Sequence, residues 1–252
     1  MPSSYAHYRF GKQILAQMPA DVKRSIQRFR RMFDMGLQGP DIFFYYNPFL
    51  KTAVGDLAHG FHCETGREFF GRVCAAARTE PAKAYLYGLL AHYCLDSVCH
   101  PYVHRIVDIG EAGHAAFESE FERFLLTLDK EPSPHTYDIS PKLRLTRGEC
   151  QTVAECYPPV TGAQVSQSVR FMAFAKKFLA GSRGGSWLKR LKPGFCDHRI
   201  PAEEKEELTL YIRELYGCYR EALEKYPAML EQLLTFMQTG EALGADFERD
   251  FG

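Results

Sequence analysis

His92-Tyr93-Cys94-Leu95-Asp96-Ser97-Val98-Cys99-His100 is the stretch around which this chain is organised, and a His114 to Glu118 pair follows it shortly afterwards. Within each stretch the imidazoles and carboxylates recur every four residues. On an α-helix, positions i, i+4 and i+8 lie on roughly one face, so two helices can aim these groups at a shared point. Neutral imidazole nitrogen and carboxylate oxygen are good ligands for zinc. The spacing therefore predicts a metal cluster held between helices.

The apolar surroundings of this stretch strengthen the prediction. A single histidine is more often a satisfied core or surface residue than a ligand. His92 and Asp96, however, stand among Leu89, Leu90 and Leu95. Burying an aspartate there without a partner is costly, and a metal ion supplies the partner. Seven of the nine histidines also lie in the first 114 residues, at positions 7, 59, 62, 92, 100, 104 and 114.

Composition narrows the class of protein. Lys+Arg and Asp+Glu both number 31 in 252 residues, which argues against an extended nucleic acid as partner, since such binders usually carry a basic excess. The first residues show no basic segment followed by an apolar one, as a secretory signal would, and no apolar run reaches the length of a membrane span. The eight cysteines include no CxxC pair and are interpreted as reduced thiols, a zinc-thiolate site being the weaker alternative. We expect a cytoplasmic protein.

Helical periodicity runs through most of the chain, and no segment shows convincing strand alternation. The aromatic run 42–48 is too short for a helix, and residues 130–145 are expected to form a loop. A break is expected at Tyr226-Pro227, because proline lacks the amide hydrogen. We predict an all-α, single-domain multi-helix bundle over residues 1–252, with metal ligands within 1–125 and C-terminal helices as scaffold. The predicted helices cover residues 3–18, 19–36, 53–62, 65–78, 81–101, 114–128, 149–156 and 162–180, and a final stretch from 201.

The order of these residues resembles the zinc-dependent phospholipase C group. That group is related to the S1/P1-type nucleases and to the catalytic domain of mammalian glycosylphosphatidylinositol phospholipase D. The resemblance covers roughly residues 1–125 and implies an all-α fold of the phospholipase C and P1 nuclease type with up to three Zn²⁺ ions. The residues that carry it, in chain order, are His7, Asp41, His59 or His62, His92, Asp96, His100, His114 and Glu118.

The resemblance also implies a role for each residue. One zinc is expected to bind Asp41, His62 or His59, His92 and Asp96. A second is expected to bind His100, His114 and Glu118. The third is expected to bind His7, with Asp96 bridging and the chain's own N-terminal amine completing the site. Removal of Met1 would place that amine on Pro2. Asp41 is also the expected general base.

This sequence departs from the family pattern at two ligand positions. The bacterial phospholipases and nucleases place the third histidine six residues after the aspartate, whereas His100 follows Asp96 by four, as in the phospholipase D-type relatives. His104 is then not needed as a metal ligand. At the earlier histidine position, His62 is preferred over His59, because Glu64, Thr65 and the Phe69-Phe70 pair follow His62 at the distance familiar from the family.

The resemblance implies a zinc-dependent phosphodiester hydrolase of phospholipase C type, with a phosphodiester or phospholipid substrate. The alternatives are a nuclease or nucleotide phosphodiesterase of the same fold, and a metal-binding protein without catalysis. The aromatic residues 43–46, which follow Asp41, are expected either to line an apolar groove or to fill the core. Residues 181–192 place Trp187, the only tryptophan, beside Lys189, Arg190 and Lys192. They predict a transient membrane-surface contact or, as the alternative, a solvated loop.

Overall fold

One long helix runs through the middle of the structure and carries the stretch His92 to His100. The computed structural model describes residues 4–181 and 197–252, so that Trp187 and its basic neighbours lie outside the described residues. The described part contains α-helices and short 3₁₀ segments and no strand, and the all-α prediction is confirmed. The α-helices are α1 (Ser4–Ile14), α2 (Ala20–Arg28), α3 (Arg30–Gly36), α4 (Ala53–Cys63), α5 (Gly66–Ala76), α6 (Glu80–Asp108), α7 (His114–Leu128), α8 (Arg147–Glu155), α9 (Gly162–Ala180) and α10 (Thr209–Thr239).

Helix α6 begins at a well-defined cap. The Thr79 hydroxyl accepts a hydrogen bond from the amide of Ala82, and Pro81 stands in the first turn, where its missing amide hydrogen costs nothing. Between Ala82 and Ile106 the helix is buried almost all round. Such a helix must be covered on every side, and α3, α10 and α1 pack along it.

Two glycines allow α3 and α6 to approach closely. A Cβ atom on Gly88 of α6 would lie 2.2 Å from the carbonyl oxygen of Phe33, and one on Gly36 of α3 would lie 2.1 Å from that of Tyr85. Both values are far below van der Waals contact. The backbones therefore touch directly, which fixes α3, and the segment that follows it, against the middle of α6.

That segment is the short 3₁₀ helix Gly39–Tyr45, which brings Asp41 to α6. The sequence analysis expected no helix over 42–48, and the structure forms only this tight, short kind. Gly39 adopts a positive φ of 52°, and a Cβ there would lie 2.4 Å from the His92 ring. Helix α9 packs along the outer side of the 3₁₀ helix.

Two predicted helix ends at prolines are wrong. Helix α6 continues through Pro101 to Asp108. Pro101 leaves the carbonyl of Ser97 without its helical donor, and the Arg249 guanidinium donates to that oxygen at 3.3 Å, which offsets the loss. Helix α10 continues through Pro227, where neighbouring Tyr226 is fully buried against α6 and donates its hydroxyl to the Tyr87 carbonyl. Tertiary packing thus outweighs the local preference to stop.

Other boundaries differ by shorter distances. The predicted helix 19–36 is divided at Phe29, whose ψ of 44° is not helical, into α2 and α3. The final helix begins at Thr209 rather than near residue 201, and the first ends at Ile14. None of the described helices combines the length and the apolar character needed to cross a membrane.

Candidate metal centre

Helix α6 contributes three candidate ligands from one face. His92, Asp96 and His100 follow each other at one turn's spacing in its buried middle, and none is more than 5% exposed. The Nε2 atom of His92 lies 3.1 Å from Asp96 Oδ2, and that of His100 lies 4.0 Å from Asp96 Oδ1. Asp96 therefore stands between the two imidazoles, as the spacing predicted.

Helix α7 supplies the second set. His114 is its first residue, and His114 Nε2 lies 3.0 Å from Glu118 Oε1 one turn later. The same carboxylate oxygen lies 3.3 Å from His100 Nε2 of α6. One candidate ligand atom from each of these three residues falls within 4.8 Å of the others, so they can hold one ion.

The first set gathers residues from four elements. His7 of α1 lies with Nε2 3.1 Å from Asp96 Oδ1, and its ring stacks on that of His92 at 4.4 Å. Asp41, from the 3₁₀ helix, lies with Oδ2 3.7 Å from His92 Nε2. Together with His92 and Asp96 they offer four ligand atoms within 4.8 Å of one another. His62 of α4 joins this set through Asp41, whose Oδ1 lies 2.8 Å from His62 Nε2.

The orientation of three imidazoles fits metal binding. The Nδ1–H groups of His62, His92 and His100 donate to the backbone carbonyls of Ala58, Leu37 and Phe251 at 2.7, 3.2 and 2.7 Å. Each Nε2 then turns its lone pair towards a carboxylate. Metal-binding histidines typically donate their other nitrogen in this way, which fixes both the tautomer and the ring.

Unsatisfied buried atoms point to the same conclusion. The atoms His7 Nδ1, Asp41 Oδ2, His92 Nε2, Asp96 Oδ2 and Glu118 Oε2 are buried and have no hydrogen-bond partner. An imidazole lone pair and a carboxylate oxygen 3.1 Å apart repel each other unless a proton or a cation lies between them. Zinc bonds of about 2.0–2.2 Å place two tetrahedral ligands roughly 3.3 Å apart, close to the nitrogen–oxygen distances found here. The residues present thus fit zinc.

The pKa shifts of the buried residues indicate that the carboxylates of the cluster are balanced by positive charge. Burial alone would raise the pKa of Asp96, but His92, His100 and His7 outweigh it and hold that pKa well below its ordinary value. Burial alone would lower the pKa of His100, but Asp96 and Glu118 raise it to about 9. Asp96 therefore stays charged at neutral pH, and His100 takes up a proton or shares a metal ion with it.

The remaining predicted residues occupy different positions. His59 is exposed, and its ring contacts Phe44 at 4.8 Å, so the structure brings His62 rather than His59 to Asp41. His104 is exposed and stacks on His100 at 5.6 Å, one turn beyond it on α6. Pro2 and the N-terminal amine lie outside the described residues, so that the third predicted site is described only at His7 and Asp96.

The sequence profile of zinc-dependent phospholipase C matches residues 6–153, which is more than half of the chain. This chain belongs to that family. No curated protein and no solved structure matches the chain. The match extends beyond the predicted limit near residue 125, and it includes every candidate ligand among the described residues.

A C-terminal residue outside the family match, Phe251, also contacts the candidate centre. Phe251 is fully buried, and its ring lies 5.6 Å from that of His62 and 5.9 Å from that of His92. Its carbonyl is the acceptor that orients His100. Sequence reasoning missed this residue, because the C-terminal helices were assigned to scaffold. An isolated phenylalanine near the end of a polar tail gives no signal of such a role.

Lys176 of α9 is a second residue that sequence reasoning missed. It is 9% exposed, and burial, which would lower its pKa, is outweighed by Tyr45 and by nearby carboxylates including Glu118 and Asp41, which raise it. A signal was available, because Lys176 continues the apolar stripe of Val165, Val169 and Met172 at helical spacing. Lys176 thus places a buried positive charge within electrostatic range of the candidate ligands Glu118 and Asp41.

The aromatic residues 43–46 were expected either to line a groove or to fill the core, and the structure places Phe44 differently from its neighbours. Phe43 and Tyr45 point into the core, and Phe43 packs on Phe61 and Tyr157. Phe44 is half-buried, and its ring lies 5.3 Å from that of His62. One aromatic ring of the run therefore flanks the candidate metal centre, while others fill the core beneath it.

Proposed function

We propose that this protein is a zinc-dependent phosphodiester hydrolase of phospholipase C type, which cleaves a phospholipid between its glycerol oxygen and phosphorus. Membership of the zinc-dependent phospholipase C family supports a hydrolase with a phospholipid substrate. The observation that carries the proposal is the convergence of buried, oriented imidazoles and unsatisfied carboxylate oxygens on two adjacent points. A cytoplasmic location stays a prediction.

The proposed ligands form two sets around a shared carboxylate. The first is His7, Asp41, His62, His92 and Asp96, and the second is His100, His114 and Glu118. Asp96 is the proposed bridge, because Oδ1 faces His7 and Oδ2 faces His92. We propose up to three ions, the third held by His7, Asp96 and the N-terminal amine. Zinc bound there would supply positive charge to a phosphate and lower the pKa of a bound water.

The chain's own residues would position the substrate and handle the proton. Asp41 is the proposed general base, since its Oδ1 lies 2.8 Å from His62 Nε2, where the two atoms would share a cation, while Oδ2 is buried without a hydrogen-bond partner. A cation shared by His62 Nε2 and Asp41 Oδ1 would fix the orientation of that carboxylate, and the Nδ1–H of His62 donates to the Ala58 carbonyl. Lys176 provides a charge that attracts the phosphate once the carboxylates are neutralised by cations.

The experiment measures zinc content and hydrolysis on the same preparation. Elemental analysis of untagged protein is expected to find two to three zinc ions per chain, the number that the two ligand sets and the bridging Asp96 imply. His92→Ala and His114→Ala are each expected to lower that number and to abolish hydrolysis of a phospholipid. His62→Ala is expected to lose activity, while His59→Ala, a histidine three residues away that is exposed, keeps it.

Three outcomes distinguish the alternatives. Cleavage of dinucleotides with no cleavage of phospholipids would support the nuclease. Full zinc content without cleavage of any phosphodiester, including a generic chromogenic one, would leave a metal-binding protein. Less than one ion per chain, unchanged by His92→Ala and His114→Ala, would contradict the proposed metal centre itself.

A further inference from the structure

An exposed patch of apolar side chains joins helix α9 to the loop that follows the 3₁₀ helix Gly39–Tyr45. We name Phe49, Leu50, Phe171 and Phe174 the aromatic patch. Phe49, Leu50 and Phe174 are 52%, 71% and 61% exposed, which is unusual for large apolar side chains grouped together. The ring of Phe171 links them, lying 6.1 Å from that of Phe49 and 6.0 Å from that of Phe174.

The patch has a defined shape because its two elements are tied together. The loop that carries Phe49 and Leu50 is held on α9 by a hydrogen bond of 2.7 Å from the Gln167 amide to Asn47. Asn47 adopts a positive φ of 46°, a conformation that asparagine tolerates. These apolar side chains thus remain at the surface although α9 buries its opposite face.

A groove with basic walls adjoins the patch. It has a volume of about 1360 Å³, and Phe171 and Phe174 belong to its lining. Arg147 at the start of α8 and Arg170 on α9 also line it, and both are exposed. The other residues that line the groove are uncharged. Guanidinium groups bind phosphate through paired hydrogen bonds.

The patch is directly connected to the proposed catalytic residues. Asp41 and Phe44 lie in the 3₁₀ helix Gly39–Tyr45, and the chain leaves that helix straight into Asn47 and Phe49. Phe44 contacts His62. The patch therefore follows the residues of the candidate centre closely along the chain.

We propose that the aromatic patch and the groove between Arg147 and Arg170 are the surface with which this protein binds a bilayer containing anionic phospholipids. Phenylalanine and leucine side chains enter the boundary between head groups and acyl chains, and the two arginines bind head-group phosphates. The inference rests on the proposed function, because it specifies how an enzyme that acts on phospholipids would reach its substrate.

Binding to vesicles tests this inference separately from hydrolysis. The full chain is sedimented with vesicles of phosphatidylcholine, with and without phosphatidylserine, at two salt concentrations. Wild-type protein is expected to prefer the anionic vesicles, and salt is expected to weaken that preference. The double variant Phe49→Ser/Phe174→Ser is expected to bind more than tenfold more weakly to either vesicle. Arg147→Gln/Arg170→Gln is expected to lose about tenfold or more on anionic vesicles only.

Leu210→Ser is the matched control, since Leu210 is 65% exposed at the start of α10 and outside the patch. It is expected to bind vesicles as wild type does. All variants are also assayed on a soluble phosphodiester, where the patch variants are expected to keep the wild-type rate. A patch variant that loses vesicle binding but keeps that rate is folded.

Three results would overturn the inference. In the first, wild-type protein does not sediment with anionic vesicles. In the second, Leu210→Ser reduces binding as much as the patch variants do. In the third, the wild type is a dimer without lipid and the Phe49→Ser/Phe174→Ser variant is a monomer, so that a second copy is the occupant. If the protein binds vesicles through the patch but cleaves no phosphodiester, the proposed function fails and this surface stands.

Discussion

Replacing Phe251 with alanine separates the part that this residue has in folding from its part in the metal centre. The side chain is fully buried, and its ring packs on Phe69 and Tyr93 at 4.9 Å as well as on the imidazoles of His62 and His92. Removing a buried phenylalanine ring costs about 3–5 kcal/mol of folding free energy. Chemical denaturation is expected to show a loss of that size.

The effect on zinc affinity has a different origin. The Phe251 carbonyl accepts the Nδ1–H of His100 at 2.7 Å, and this contact holds His100 Nε2 towards Glu118 and Asp96. Losing the ring frees the segment that carries the carbonyl. Loss of such an outer contact typically weakens metal binding by about 10–100-fold, which corresponds to roughly 1.4–2.7 kcal/mol. We expect Phe251→Ala to weaken zinc binding by that factor, measured by competition with a chelator in native conditions.

Phe247→Ala is the matched control. Phe247 is equally buried in the same segment, but its ring packs on Phe70 and Tyr93. It is expected to cost a similar free energy of unfolding while leaving zinc affinity nearly unchanged. If both variants weaken zinc binding equally, the C-terminal segment acts only through general stability. If neither variant weakens it, the contact to His100 has no influence on the metal.

Three further predictions concern stability. Gly88→Ala is expected to destabilise the fold by about 1–3 kcal/mol, because its Cβ would meet the Phe33 carbonyl oxygen. Gly71→Ala in α5, with open space around it, is expected to stabilise the fold by roughly 0.5–1 kcal/mol. If chemical denaturation shows Gly88→Ala to be as stable as the wild type, the close packing of α3 on α6 is contradicted. Burial alone would raise the pKa of Asp129, but hydrogen bonds from Arg9 and Tyr5 lower it. A carboxyl group with a lowered pKa stabilises the fold above its unfolded pKa of about 3.9, and this stabilisation is lost as the pH falls through the folded pKa, so Asp129→Asn is expected to be less stable than wild type at pH 7 and equally stable in acid. A stability difference between the two proteins that does not change with pH would count against this prediction. Chelation of zinc is expected to lower the unfolding temperature, because the buried carboxylates lose their partners, and restoring zinc is expected to reverse the shift; an unchanged scan would contradict the proposed centre.

Part of the candidate metal centre could be predicted because several of its residues share a helix. His92, Asp96 and His100 share a helix, and so do His114 and Glu118, so that helical period alone places each set on one face. Asp41 and His62 could be named only by resemblance, because each comes from a separate element and depends on how those elements pack. The resemblance favoured His62 over His59, and in the structure the His62 imidazole lies beside Asp41 while His59 is exposed.

Proline signals show the limit of local reasoning. Local preference correctly predicted that α6 opens near Pro81 but wrongly ended α6 near Pro101 and α10 near Pro227. The cost of an interior proline is a lost hydrogen bond and a steric clash, and a distant residue can offset it. Arg249 does so at Ser97 from the other end of the chain.

By itself the sequence determined the helical class, the two helices that carry candidate metal ligands and the family to which the chain belongs, because these depend on periodicity and on the order of residues. Only the tertiary structure decided which side chains surround the ligands. It alone placed Phe251 against His62 and His92 and left Phe49 and Phe174 exposed. The physical reason is that burial and contact are set by elements far apart in the chain, and residues more than a few turns apart meet only when the whole fold is formed.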